Sequence, residues 1–102
     1  MKHIDTRSFE SFFHVVAGTS RSQAAIMILG PGKSTGGADN RHENADQWLY
    51  VTSGRGRATV EGESVELSPG SLLLIEAGEA HEIENAGEER LRTVSVYAPP
   101  EY

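Results

Sequence analysis

Apolar positions along this chain recur in short alternating runs, not at the 3.6-residue spacing of a helix, and turn residues interrupt them every eight to twelve positions. The runs predict eight β-type segments: Phe9 to Ala17, Ser22 to Leu29, Gln47 to Thr52, Arg57 to Glu61, Ser64 to Leu67, Leu72 to Glu76, His81 to Asn85 and Leu91 to Tyr97. No window sustains a capped helical period. Between the segments, Ser53-Gly-Arg-Gly56, Glu61-Gly-Glu63 and Ser68-Pro-Gly70 read as hairpin turns. Alternation along a strand sends every second side chain to the same face. His81, Ile83 and Asn85 therefore share a face opposite Glu82 and Glu84, and Gln47, Leu49 and Val51 share one opposite Trp48, Tyr50 and Thr52. Polar residues at the strand starts followed by aliphatics predict an all-β barrel with a polar mouth and an apolar floor, the anatomy of a small ligand pocket.

At 102 residues the chain is the size of one domain, and a single domain over 1–102 is expected. Such a domain buries about 60–65% of its unfolded surface, so pairing with a second copy is a natural way to bury more. The Phe9–Phe12–Phe13 run, apolar on both faces, adds to the expectation of a homodimer. The net charge of −6, with nine scattered basic residues, gives no attraction for phosphate backbones or acidic membranes, so neither nucleic acid nor membrane is an expected partner. There is no cysteine, which removes disulfides, thiolate ligands and thiol nucleophiles. The opening MKHIDTRSFESFF carries Asp5 and Glu10 and does not read as a secretory signal, and the longest apolar stretches, Ala24–Leu29 and Leu72–Ile75, are too short to span a bilayer. A cytoplasmic location is the resulting expectation.

Two stretches carry more. Asn40 to Gly54 reads NRHENADQWLYVTSG, which resembles the first cupin motif, HxHxxxxExxxxxxG, in the HxHPNADEW form of oxalate-decarboxylase-like members. The shared NAD-x-W core places Asn40 and His42 at the two His positions and Gln47 at the Glu. Gly70 to Asn85 reads GSLLLIEAGEAHEIEN and resembles the second motif, GxxxxxPxGxxHxxxN, with Glu76 standing where Pro is usual and His81 at the third His. The resemblance implies a single-domain cupin of jelly-roll, double-stranded β-helix type. It further implies a metal set of His42, Gln47, His81 and Asn40.

Two imidazoles and an amide oxygen can hold Zn, Ni, Cu, Mn or Fe, but exchanging Glu for Gln removes an anion and exchanging His for Asn a good nitrogen donor. Neutral ligands leave the full charge on the ion, which favours Lewis-acid work over dioxygen activation. The leading expectation is a divalent metal used on a small polar metabolite, an organic acid or sugar derivative. A metal-free binding or sensor module is the alternative, and a dioxygenase the third. Glu76 and Glu79, flanking the turn before His81, are candidate general bases if they face the pocket. His14 reads as a packing residue, His3 as part of a frayed terminus, and Trp48 and Tyr50 as cover for apolar surface, a dimer contact or a stacking platform. Arg55 and Arg57 read as surface residues. The Gly30–Gly37 segment contains GKST without the upstream Gly or the helix of a phosphate loop, and reads as a flexible loop.

Overall fold

The structure, a computed structural model, describes residues 1–37 and 41–102. Its eight strands are β1 (Phe13–Gly18), β2 (Gln23–Leu29), β3 (Asp46–Ser53), β4 (Gly56–Val60), β5 (Glu63–Leu67), β6 (Leu72–Ile75), β7 (His81–Glu84) and β8 (Leu91–Ala98). They form two antiparallel sheets, one of five strands in the order β1-β2-β8-β3-β6 and one of three in the order β5-β4-β7. This is the all-β jelly-roll architecture that the strand pattern and the two motifs predict. Among the described residues no helix is long and apolar enough to cross a membrane.

Strand parity sets the inside. β3 alternates exposed and buried, with Gln47, Leu49 and Val51 inward, and β8 does the same with Leu91, Thr93, Ser95 and Tyr97. Register pairs Gln47 with Tyr97, Leu49 with Ser95 and Val51 with Thr93, so each inward row crosses the sheet. Leu29, Leu49, Val51, Ala58, Ile75, Ile83 and Leu91 pack between the two sheets as the apolar floor. Each large aliphatic among them contributes about 1.5–3 kcal/mol by leaving water. Toward the other end the inward positions become His42, Gln47, His81 and Tyr97. The polar mouth sits on that floor.

Three local expectations change. Only one of the three turns, Glu61-Gly62, closes a hairpin (β4 to β5), and both its residues take positive φ (48° and 82°) as such a tight turn requires. Ser53–Gly56 and Ser68–Gly70 are instead corners between sheets. Both edges of β3 are occupied by β6 and β8, so the chain leaves the larger sheet at the first corner; at the second it crosses back from β5 to pair β6 with β3. At the first corner Gly54 has φ +84°, and a Cβ there would collide with the Arg90 carbonyl and lie 2.8 Å from Leu91 Cα.

The first strand begins at Phe13, not Phe9. Asp5 caps a 3-10 turn over Thr6–Ser8 by accepting from the Arg7 amide (3.0 Å), and Arg92 donates to the Phe9 carbonyl (3.2 Å) and to Glu10 (2.8 Å). These contacts hold 5–10 outside the sheet. His14 is exposed and lies against Phe9, with ring centroids 4.8 Å apart.

The Gly30–Gly37 segment is tied down, not free. Thr35 N–H donates to the Ile83 carbonyl (2.9 Å), Ile83 N–H to Thr35 Oγ1 (3.0 Å) and Asn85 N–H to the Lys33 carbonyl (2.9 Å). Its amides at 32, 33 and 35 are spent on carbonyls and cannot cradle a phosphate. Asn85 is a buried structural hydrogen-bonder. Its Nδ2 donates to the carbonyls of Leu29 (2.9 Å) and Glu89 (2.7 Å), and its Oδ1 accepts from Gly87 N–H (2.8 Å).

Candidate functional site

A cavity of about 260 Å³ opens at the polar end of the barrel, lined by Phe12, Phe13, Met27, Thr35, His42, Gln47, His81, Ile83, Tyr97 and Tyr102. It brings together three of the four residues that the motifs single out. Asn40, the fourth, lies outside the described residues.

Each of the three is placed by its own local structure. Gln47 is the first inward residue of β3 and is 4% exposed. Its Nε2 donates to Ser95 Oγ on β8 (3.1 Å), while its Oε1 is buried without a partner. A buried acceptor left unpaired costs about 1–3 kcal/mol, which marks the position as one kept for something else. His81 opens β7 and is 3% exposed. Its Nδ1 lies 3.1 Å from the Glu79 carbonyl. A carbonyl can only accept, so Nδ1 carries the proton and Nε2 presents a lone pair. Burial lowers the His81 pKa, with the neighbouring His42 acting in the same direction, and the imidazole is neutral at pH 7.

His42 comes from the loop before β3, and the β6–β7 turn fastens that loop. Gly78 N–H donates to the His42 carbonyl (2.7 Å), Ala77 N–H to Asp46 Oδ1 (2.9 Å), and Ala45 is buried beneath. The two imidazoles end 4.9 Å apart, centroid to centroid. The same turn therefore orients both histidines, one through an amide and the other through a carbonyl.

Glu76 and Glu79 belong to that turn, but neither is among the residues lining the cavity. Glu79 Oε1 accepts from the Glu76 amide (2.7 Å), and both side chains border a separate groove with Val60, Glu61, Leu73 and Leu74. Their placement is at the outside of the barrel. Among the described residues, no group of three or more His, Cys, Asp or Glu is arranged to hold a metal ion.

The sequence reading missed Tyr97, near the end of β8, and the residues that follow the strand. Tyr97 is buried at 3% exposure, and burial pushes its phenol well above the ordinary range; Tyr102 is raised by burial as well. Tyr97 and Tyr102 stand edge-on to each other and to His42, and Glu101 Oε2 comes to 3.7 Å from His42 Nδ1. Parity would have found Tyr97, two residues beyond Ser95 on an inward row. No local pattern flags Glu101 and Tyr102, which reach the site only because the chain turns back.

Comparison with known proteins agrees with this architecture. The family described as Cupin domain (Cupin_2) matches residues 25–97. A solved structure from Bacillus halodurans superposes with a TM-score of 0.89 at 27% identity, covering 95% of this chain and 76% of that one. KdgF from Halomonas sp. superposes with a TM-score of 0.78 at 26% identity, covering 86% and 77%. The oxalate-binding protein of Thermotoga maritima is 33% identical over 72 residues, 71% of this chain and 58% of its own length. The matches span 45–63% of the length of the curated relatives. With a family match over both motifs and a barrel that superposes on solved relatives, the chain belongs to the cupin family.

Proposed function

We propose that this cupin binds a divalent metal ion through His42, His81 and Gln47, with Asn40 as a further donor, and acts on a small polar metabolite such as an organic acid or sugar derivative. One observation carries the reading. Gln47, whose Oε1 is buried without a partner, lines the same cavity as two imidazoles, one of which has its Nδ1–H committed to a carbonyl, leaving Nε2 as the lone-pair nitrogen. Orientation of a metal-binding imidazole by a backbone carbonyl on its other nitrogen is the usual arrangement at such centres. The donor set fits a borderline-soft dication such as Zn²⁺ or Ni²⁺.

A cation held by neutral ligands supplies Lewis acidity, polarising a bound oxygen. The chain's own contribution is to orient and to exclude water. Phe12, Phe13, Met27 and Ile83 form apolar wall beside the polar end, and Ser95 holds the Gln47 amide so that its oxygen stays available. The likeness to an oxalate-binding protein supports a small organic ligand.

Metal content by ICP-MS on untagged protein, with His42→Ala and His81→Ala alongside, tests the proposal. Near one equivalent in the parent and little in either variant is expected. No metal after incubation with Zn, Ni, Mn and Fe(II) overturns it.

A second reading, a metal-free binding or sensor module, is favoured by the absence among the described residues of three clustered His, Cys, Asp or Glu side chains. Thermal stabilisation by metabolites but not by metal ions would select it.

The outer face of the larger sheet supports pairing with a second copy. Trp48, Tyr50, Leu72, Leu74 and Val96 form two adjacent rows there, each 39–61% exposed, with Trp48 paired to Leu74 and Val96, and Tyr50 to Leu72. A contiguous exposed patch of large apolar side chains of this kind marks an interaction surface. The rows are bounded by Asp46 and Glu76 at one end and Arg92 at the other.

A further inference from the structure

Gln23, at the start of β2, is 9% exposed and spends its amide on the main chain of residues 101 and 102. Its Oε1 accepts from the amides of Glu101 (3.2 Å) and Tyr102 (2.9 Å), and its Nε2 donates to the main-chain oxygen of Tyr102 (2.6 Å). Three bonds from one largely buried side chain hold this segment as a neighbouring strand would. The clamp has a consequence for the cavity. It sets the Tyr102 ring 4.8 Å from Phe13, 5.3 Å from Tyr97 and 6.0 Å from His42, centroid to centroid. Tyr102 itself stays 60% exposed, at the rim.

The lining then divides by chemistry. Phe13, Tyr97 and Tyr102 make an aromatic corner, the Tyr102 ring inclined 57° to Phe13 and 79° to Tyr97 so that a flat ring can meet one face and another's edge, and Met27 and Ile83 add aliphatic surface. No Lys or Arg is among the described lining residues, so nothing there is built to hold a polyanion by charge. The polar end offers Gln47 Oε1 and His81 Nε2, both acceptors. As for size, an apolar cavity of about 150 Å³ is enough for benzene. The 260 Å³ here admits one ring with substituents.

We infer that Gln23 and the segment it clamps make this a site for a flat, single-ring hydroxy compound, phenolic or enolic. The ring lies along Phe13, Tyr97 and Tyr102. The hydroxyl faces the His42–His81–Gln47 end, where it meets the acceptors or the cation they hold. The inference rests on the proposed function in taking that end as the polar end of the binding site. Gln23 is a positioning residue, and Tyr102 a contact residue that selects for flatness.

Phenol, cyclohexanol and toluene serve as probes, titrated by calorimetry and by ¹H–¹⁵N NMR into EDTA-treated and Zn-loaded protein. Phenol is expected to shift the signals of Met27, His81 and Tyr102. It is expected to bind about tenfold more tightly than cyclohexanol, which is not flat, and than toluene, which lacks the hydroxyl. Gln23→Leu and Tyr102→Ala should each weaken phenol by about tenfold, and Tyr102→Phe should keep most of the affinity. Tyr102→Ala trims a rim side chain, so its result stands even if Gln23→Leu fails to fold.

Equal affinity for phenol and cyclohexanol, phenol binding untouched by both variants, or no phenol binding in either form of the protein overturns the inference. Zn²⁺ affinity, measured separately, keeps the two readings apart. Phenol binding that depends on Gln23 and Tyr102 but comes without Zn²⁺ binding removes only the cation, and Zn²⁺ binding without phenol binding removes only the ring ligand.

Discussion

Gln47 concentrates the question at the residue scale. Its amide is split between a hydrogen bond to Ser95 and a buried oxygen with no partner, so the position is poised but uncharged. Gln47→Glu places an anion in the low-dielectric cavity that also holds two imidazoles. Zn²⁺ affinity measured by calorimetry is expected to rise at least about tenfold. The metal-free variant is expected to melt at a lower temperature, because it buries an uncompensated carboxylate. Unchanged Zn²⁺ affinity would mean that position 47 does not face the ion.

His81 makes a second prediction. Its pKa in the fold lies below the ordinary 6.5 because burial disfavours the charged ring. The unfolded chain therefore binds a proton that the native state refuses, and stability is present above about pH 6.5 and declines as pH falls below it. Urea titrations in EDTA at pH 7.5 and 5.5 should show this loss in the parent and less of it in His81→Asn. Gln47 and His81 were legible in the sequence because parity and two spaced motifs agree on them. The partner of Gln47 was not, since Ser95 lies 48 positions away and meets it only across the sheet.

At the scale of elements, corners matter as much as strands. β3 has neighbours on both edges, so the chain must leave the larger sheet at Gly54, and it returns to that sheet before β6. Gly54 passes so close to Arg90 and Leu91 that no side chain fits, and its φ of +84° is one that L-residues rarely adopt. Gly54→Ala is expected to cost about 2–4 kcal/mol in chemical denaturation. Gly62→Ala has open space around it and should cost less, from its backbone conformation alone. A sequence with Ser-Gly-Arg-Gly looks the same whether the turn folds back on its own strand or crosses to the other sheet. Edge occupancy by a distant strand decides which.

For the whole molecule, the two apolar rows on the outer face predict self-association. Multi-angle light scattering across micromolar concentrations is expected to show a dimer that weakens on dilution, and Trp48→Glu is expected to give a monomer with an unchanged melting profile. A monomer at every concentration removes the idea. The face that suggests this pairing is not the Phe9–Phe12–Phe13 run. Phe12 lines the cavity, and Phe9 sits outside the first strand against His14.

What the sequence determined by itself was whatever depends on short-range order. Alternation, which has a period of two, set the strands, the inward faces of β3 and β7, and the polar mouth over an apolar floor. Two motifs of fixed spacing identified the cupin barrel and the positions of His42, Gln47 and His81. The tertiary structure decided whatever depends on which distant segments meet. It made corners of two expected hairpins, and it turned Glu76 and Glu79 toward an outer groove while their turn aligns both histidines. It also brought Glu101 and Tyr102 back to the cavity through Gln23, 78 and 79 residues away. A side chain's neighbours along the strand follow from local geometry, whereas its neighbours across the barrel follow from sheet order, which no local pattern encodes.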